Sequence, residues 1–272
     1  FHKAKEKLTG SLFHEQHGSF LIMNSILPNI PQQIINQSLD LLDFFISSIN
    51  VTELHEYSLY NIIILARYNK ETFLKDHYDM IYDIITEDNC SDQTSSLSSH
   101  CLLLFYMTFS EQMISNESKM TEILNNLINY RKSIKNAYQI ITHISINYSF
   151  FIEKNTQFFS SLFLRSIQFI NEVSHEFVNL ITAFPSLFDS SAFARAILDE
   201  FQKNRTRDFL EFLSLCPPLN NDQIQHNLIS ILSSPEGEMR GQASSSILRQ
   251  ISYDDRDFVC DVKLLILDIS RF

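Results

Sequence analysis

A chain of 272 residues is long enough for one large domain or two ordinary ones, and 44% hydrophobic against 19% charged residues is a globular composition, not a disordered one. Its formal net charge of −11 repels phosphate backbones at long range, which counts against broad nucleic-acid or anionic-membrane binding and suits a basic protein or peptide partner. With 4 Gly, 6 Pro and no Asn-Gly or Asp-Gly pair, the tight turns of a sheet-rich fold lack their usual residues.

Apolar residues recur at alternating spacings of about 3 and 4, the period of a helix with one buried stripe, and strict apolar–polar alternation is sustained nowhere. A first helix or two covers 3–27, and Pro28 and Pro31 then break the chain. The next helix, 31–49, carries the stripe Ile35, Leu39, Leu42, Ile46 and Ile49, with Pro31 in its first turn, where a missing N–H costs nothing. Helices follow over 52–68, 71–86, 93–110 and 117–132, with 87–99 read as a loop or flexible insertion ahead of a helix start. The helix over 135–153 carries the stripe Ala137, Ile141, Ile144, Tyr148 and Phe151. Further helices span 156–170, 172–184, 189–203, 206–215, 221–233, 237–252 and 255–270, the last with Phe258, Val262, Leu265 and Ile269 on one side. Thr52-Glu53, Asn155-Thr156, Ser190-Ser191 and Asn221-Asp222 offer side-chain oxygens to the free N–H groups of new helices. Pro185, Pro217-Pro218 and Pro235 follow helix ends.

Links of about 2 to 6 residues force neighbouring helices antiparallel. Taken in pairs, about 13 to 15 helices repeat every 33 to 40 residues or so, the range of helical solenoids. Each pair has an apolar flank too wide to bury alone, and stacking removes it from water. With no long linker, the expectation is an all-α chain forming one continuous solenoid domain, 1–272.

The stretch Ile224–Ile251 is the most telling. Leu228, Ile229, Ile231 and Leu232 end one helix, Ser233-Ser234-Pro235-Glu236 make a turn, and Met239-Arg240 open the next helix, followed by Ala243, Ser246, Ile247 and Ile251. This resembles the turn and second helix of HEAT and armadillo repeats, in which an apolar-Arg pair precedes small residues that let neighbouring repeats approach closely. Ala243 and Ser246 match the small positions, and Ile247 matches the large one. The resemblance implies a right-handed superhelix of antiparallel hairpins and is nearly silent on function. Armadillo receptors of basic nuclear-import signals carry a ladder of Trp and Asn, and this chain has no Trp.

Catalytic sets are not assembled. The glycines, Gly10, Gly18, Gly237 and Gly241, form no phosphate loop, and there is no GxSxG elbow. In His14-Glu15-Gln16-His17 the two histidines stand three apart where a zinc-protease helix needs four. Ser174-His175-Glu176 names triad residue types, but consecutive helical residues point about 100° apart and cannot form a relay. The stretch 88–99 begins like a calcium loop yet lacks its central Gly and closing Glu. The acidic run Asp254 to Asp257 complements a helix start. No metal ligand set and no cofactor is expected.

Cys90, Cys101, Cys216 and Cys260 show no CxxC spacing, and Cys101 and Cys260 fall at core positions, which predicts buried free thiols in a reducing cytoplasmic or nuclear compartment. Sequons at Asn36, Asn50, Asn89, Asn116, Asn147 and Asn204 are read as coincidences of an Asn- and Ser-rich chain. The densest apolar run, 101–109, is about half of the ~20 residues needed to span a membrane. Phe1 is not an initiator Met, so a processed chain or a fragment is expected.

Two surface features remain. Lys203, Arg205 and Arg207 make a basic cluster at a predicted inter-helix turn, suited to an acidic segment or phosphate. Among 23 Phe and 10 Tyr, the residues Tyr57, Tyr60, Tyr68, Tyr78, Tyr82, Tyr130 and Tyr138 are candidates for a partner-facing surface. The expected function is a non-catalytic interaction or scaffolding module that binds a protein or peptide on its surface. The alternative is a piece of a larger karyopherin-like transport receptor or of another large complex. An all-helical enzyme would need a polar constellation in a central cavity, and a helical RNA reader is disfavoured by the charge.

Overall fold

The structure, a computed structural model, describes residues 2–8, 13–29, 40–89, 95–188, 191–203, 206–216, 227, 228, 230–232 and 237–250. Among these residues it contains fifteen α-helices, three short 3-10 turns and no strand. The chain divides into two compact units, Phe1–Asn136 and Ala137–Phe272.

The first unit holds α1 (His2–Leu8), α2 (Phe13–Ile26), α3 (Asp40–Ser48), α4 (His55–Ala66), α5 (Lys70–Asp76), α6 (Tyr78–Asp88), α7 (Ser96–Ser115) and α8 (Glu117–Leu127), and the division falls within α9 (Ile134–Asn147). Its centre is α4, packed on α2, α3 and α7. From Leu59 to Ala66 every residue of α4 except Tyr60 is buried. Leu59 and the unbroken apolar run from Ile62 to Ala66 account for this, because a helix apolar on all sides is stable only when enclosed.

Two helical expectations here are corrected. In α3 the buried line is Leu41 and Phe45, while Leu42 and Ile46 lie on its half-buried flank; Ile49, just past the helix, is buried as expected. The aromatic doublet Phe44-Phe45 sets this rotation: both rings contact Phe20 of α2, at 5.8 and 5.3 Å, with Phe45 fully buried. The predicted helix 71–86 is two helices, broken at His77 (φ −133°, ψ −13°). Phe73 and Tyr78 would point about 140° apart on one continuous helix. The break lets both meet Phe109 of α7, with ring centroids at 5.3 and 5.4 Å. Tyr78 and Tyr82 stack on each other at 5.7 Å and extend the cluster to Phe105.

Side-chain caps also differ from expectation. Ser95 Oγ accepts from Ser98 N–H at 2.9 Å and opens α7, and Asn116 Oδ1 accepts from Lys119 N–H at 3.3 Å and opens α8. The expected Thr52-Glu53 cap is not used: α4 starts one residue past Leu54, after backbone bonds from Val51 to Ser48 and from Leu54 to Val51 close the turn. Asn155 turns its amide back to the Phe151 carbonyl at 3.0 Å, closing the preceding helix rather than opening the next. Pro31, Ser190 and Asn221-Asp222 lie outside the described residues, as does the stripe from Phe258 to Ile269.

The second unit holds most of α9 and α10 (Ser149–Lys154), α11 (Thr156–Ser166), α12 (Ile170–Ala183), α13 (Ser191–Lys203), α14 (Arg207–Leu215) and α15 (Gly237–Gln250). The predicted helix 135–153 is thus interrupted at Tyr148 (φ −140°, ψ 45°), although Ala137, Ile141, Ile144 and Phe151 of its stripe are buried as expected. The core is aromatic. Phe177 of α12 is fully buried, with ring contacts to Tyr138, Phe163, Phe188, Phe193 and Phe212. Tyr138 donates its hydroxyl hydrogen to Ser166 Oγ, which passes its own to the Phe163 carbonyl at 3.0 Å, so this buried phenol is satisfied. α14 packs on α12 and α15. Ala243, Ser246 and Ile247 of α15 are all buried, and Ser246 Oγ donates to the Leu210 carbonyl of α14 at 2.6 Å. A side chain as short as serine lets the two backbones come close enough for that bond.

Candidate functional site

Two residues of the basic cluster are among the described residues. Lys203 ends α13 with its side chain 70% exposed and its ammonium 3.8 Å from Glu200 Oε2, one turn back. Arg207 is exposed in the first turn of α14, and Arg205 lies outside the described residues. Between them Thr206 caps α14 by accepting from Phe209 N–H at 3.3 Å, and donates to Asn171 Oδ1 of α12 at 3.0 Å. Thr206 thus ties the start of α14, where Arg207 lies, to α12.

The tyrosine expectation divides. Tyr57, Tyr60, Tyr68 and Tyr130 are half-buried at the rim of the first unit. Tyr78 is half-buried in the aromatic stack, and burial pushes its hydroxyl pKa well up. Tyr82 and Tyr138 are buried and belong to the cores, a correction to the surface reading. Burial, with help from the Asp83 charge, raises the Tyr82 hydroxyl to about 12. Both phenols sit where a helical stripe places core residues, and their rings pack against phenylalanine.

Among the described residues the two most exposed large apolar side chains lie elsewhere. At the α9–α10 corner Ile146 is 75% exposed and Phe150 60% exposed. The ring of Tyr148 is 6.0 Å from that of His143 and 6.4 Å from that of Phe150, so these three rings are neighbours at the same corner as Ile146. The doublet Phe150-Phe151 carried the signal. Neighbours on a helix point about 100° apart, so once Phe151 enters the core Phe150 turns away from it. In the same unit Thr156, Gln157, Ser160, Ser161, Leu164, Arg165, Ser186 and Leu187 line an open groove of about 680 Å³ beside α11. Ser160 Oγ already donates to the Leu187 carbonyl at 3.1 Å and Arg165 Nε to the Ser161 carbonyl at 3.4 Å, so the groove's walls combine bonded polar groups with leucine side chains.

A second polar group gathers in the first unit, where α4, α6, α7 and the start of α9 meet. Its members lie far apart in sequence. His55 Nδ1 is 2.8 Å from the Ile49 carbonyl, and its Nε2 is 2.8 Å from Asp88 Oδ2. Buried Asn89 donates to the Ile85 carbonyl at 2.8 Å and to Ser98 at 3.3 Å, and Asn136 donates to Ser99 Oγ at 2.8 Å. Cys101 directs its thiol at the Glu56 carbonyl, 3.9 Å away. Cysteine, histidine and aspartate are thus neighbours, yet this is no nucleophile relay. Both imidazole nitrogens are occupied by oxygens, leaving none to take a proton from the thiol. Burial first, then the charges of Glu56 and Asp88, push the Cys101 pKa far up and keep it a neutral thiol.

The remaining sequence candidates are placed apart. Glu15 of the His14–His17 stretch pairs with Lys7 at 3.1 Å, and His17 meets the Tyr57 ring at 5.6 Å. Cys101 and Cys216 are free and buried, as expected for core thiols, whereas Cys90 and Cys260 lie outside the described residues. Asn89 is buried and bonded through its amide, so its sequon is closed to glycan transfer in the folded chain. Among the described residues no group of three or more His, Cys, Asp and Glu side chains is placed to share a metal ion, and no helix is long and apolar enough to cross a membrane. Compared with known proteins, the chain matches no family model, no curated protein and no solved structure.

Proposed function

We propose that this chain is a non-catalytic helical-repeat module, its hairpins stacked in the armadillo or HEAT manner, that holds a protein or peptide partner on its surface. The observation that carries the reading is the α9–α10 corner, where Ile146 and Phe150 stand 75% and 60% exposed beside Tyr148. Large apolar side chains grouped on a surface gain most when a second protein covers them. The groove of the same unit, walled by leucine and hydroxyl side chains, offers a second seat for an extended segment. Lys203 and Arg207 add positive charge at the α13–α14 turn, and the net charge of −11 favours a partner that is basic overall. Support for the repeat packing comes from α14 and α15, which approach through Ala243 and Ser246.

The test is affinity capture from native extract with chemical crosslinking, followed by calorimetry on the purified partner. Expected are crosslinks near residues 143–154 and at least ~10-fold weaker binding, about 1.4 kcal/mol, for the double substitution I146S/F150S. A partner bound equally well by the wild-type chain, by I146S/F150S and by K203E/R207E would remove the basis of this reading.

A further inference from the structure

His55 opens α4 and faces two acceptors at once, a geometry with a chemical consequence. The Ile49 carbonyl, 2.8 Å from Nδ1, has no hydrogen to give, and neither has the ionised Asp88 carboxylate, 2.8 Å from Nε2. A neutral imidazole has one N–H and one lone pair, so it satisfies one of these oxygens and presents its lone pair to the other. Only the imidazolium, with two N–H groups, donates to both. We propose that His55 is a proton-operated latch: protonated, it ties the link between α3 and α4 to the end of α6, and on losing its proton it lets one of those two contacts go.

The surroundings favour the closed form. The ring is half-buried, which by itself disfavours its charge. Against this stand the Ile49 carbonyl, the bonded Asp88 carboxylate and the Glu56 charge next along α4, and together they hold the His55 pKa above its ordinary value of 6.5. Cys101 of α7, whose thiol faces the Glu56 carbonyl, stays neutral and adds no charge. The latch spans 33 positions of sequence and closes where Asn89 already ties α6 to the first turn of α7, so opening it frees the far side of one corner. The direction follows from linkage. A pKa raised on folding contributes stability that is whole below pH 6.5 and is lost as pH climbs through the folded value.

The experiment uses the full chain. Histidine Cε1–H resonances are followed by NMR from pH 5 to 9 in wild type, H55Q (which assigns the His55 signal) and D88N. Amide hydrogen exchange of peptides covering 49–56 and 85–89 is followed over the same range, corrected for intrinsic rates. Expected are a His55 midpoint above 6.5 and exchange in both peptides that rises severalfold through that midpoint. In D88N the amide side chain can donate to a neutral Nε2, so the midpoint falls and the exchange step vanishes while the fold persists. A His55 midpoint at or below 6.5, or a D88N chain that keeps the wild-type midpoint and exchange step, overturns the proposal.

Discussion

Replacing Phe177 with alanine removes the ring on which the second unit converges. The side chain is fully buried, and its centroid lies 5.6 to 6.0 Å from Phe188, Tyr138, Phe163, Phe212 and Phe193. Phe→Ala in a packed core costs ~3–5 kcal/mol through lost transfer energy and the cavity left behind. Aromatic pairs add ~0.5–1.5 kcal/mol each beyond buried area, though pairs sharing one ring do not sum. Five neighbouring rings drawn from α9, α11, α12's surroundings, α13 and α14 cannot collapse onto the void together, which places F177A near the top of the range, at ~4–5 kcal/mol. At ~2–4 °C per kcal/mol for a chain of this size, the melting temperature of the second unit falls by ~8–20 °C. The chain has no Trp, so far-UV circular dichroism during urea and thermal unfolding is the direct assay. F177L retains most of the volume and is expected within ~1.5 kcal/mol of wild type. F150A, which truncates a ring that is 60% exposed, is expected within ~0.5 kcal/mol. An F177A loss no larger than that of F150A would refute the assignment of this ring to the core.

Three further substitutions and probes test other parts of the structure. I247D puts a charge on the buried face between α15 and α14 and is expected to unfold the C-terminal helices, seen as lost far-UV ellipticity; an unchanged melting profile would contradict the helix face. Asn61 is fully buried with neither amide atom bonded among the described residues, so N61L is expected to raise stability by ~1–3 kcal/mol in urea unfolding, and a destabilised N61L would mean that the amide has a partner such as a buried water. In a C90S/C260S background Cys101 and Cys216 are expected to resist Ellman's reagent until urea unfolds the chain, because both are buried and, for Cys101, burial also disfavours the thiolate; rapid labelling under native conditions would contradict their placement.

The helices were legible because their cause is local. Apolar spacing and turn residues act within a dozen positions, and the stripe Ala137, Ile141, Ile144 and Phe151 was readable for that reason. What escaped depends on partners. The break at His77 cannot be found in residues 71–86 alone, since its benefit is that Phe73 and Tyr78 both reach Phe109, more than thirty positions away. The one-residue rotation of α3 likewise follows from Phe20 on α2, which decides which side of Phe44-Phe45 turns inward. Tyr82 and Tyr138 read as surface candidates in sequence because an amphipathic ring fits a rim or a core, and only the rings packed around it distinguish the two.

The polar corner around His55 takes this further. Serines and asparagines at helix ends read from sequence as caps, and Ser95, Asn116 and Thr206 serve that role. Asn89, Ser99 and Asn136 do something that no local pattern announces: they bond between helices, at positions where a cap or an exposed amide would look the same on paper. Such bonds fix which helix ends meet while adding little net stability, since each replaces a bond to water. His55 differs from these neutral links in one respect. Its two bonds need a second proton on the ring, so the bridge that His55 makes from Ile49 to Asp88 depends on pH where the amide and hydroxyl contacts beside it do not. If the corner opens with pH, it must open at His55, with Asn89 and Asn136 still holding α7 in place.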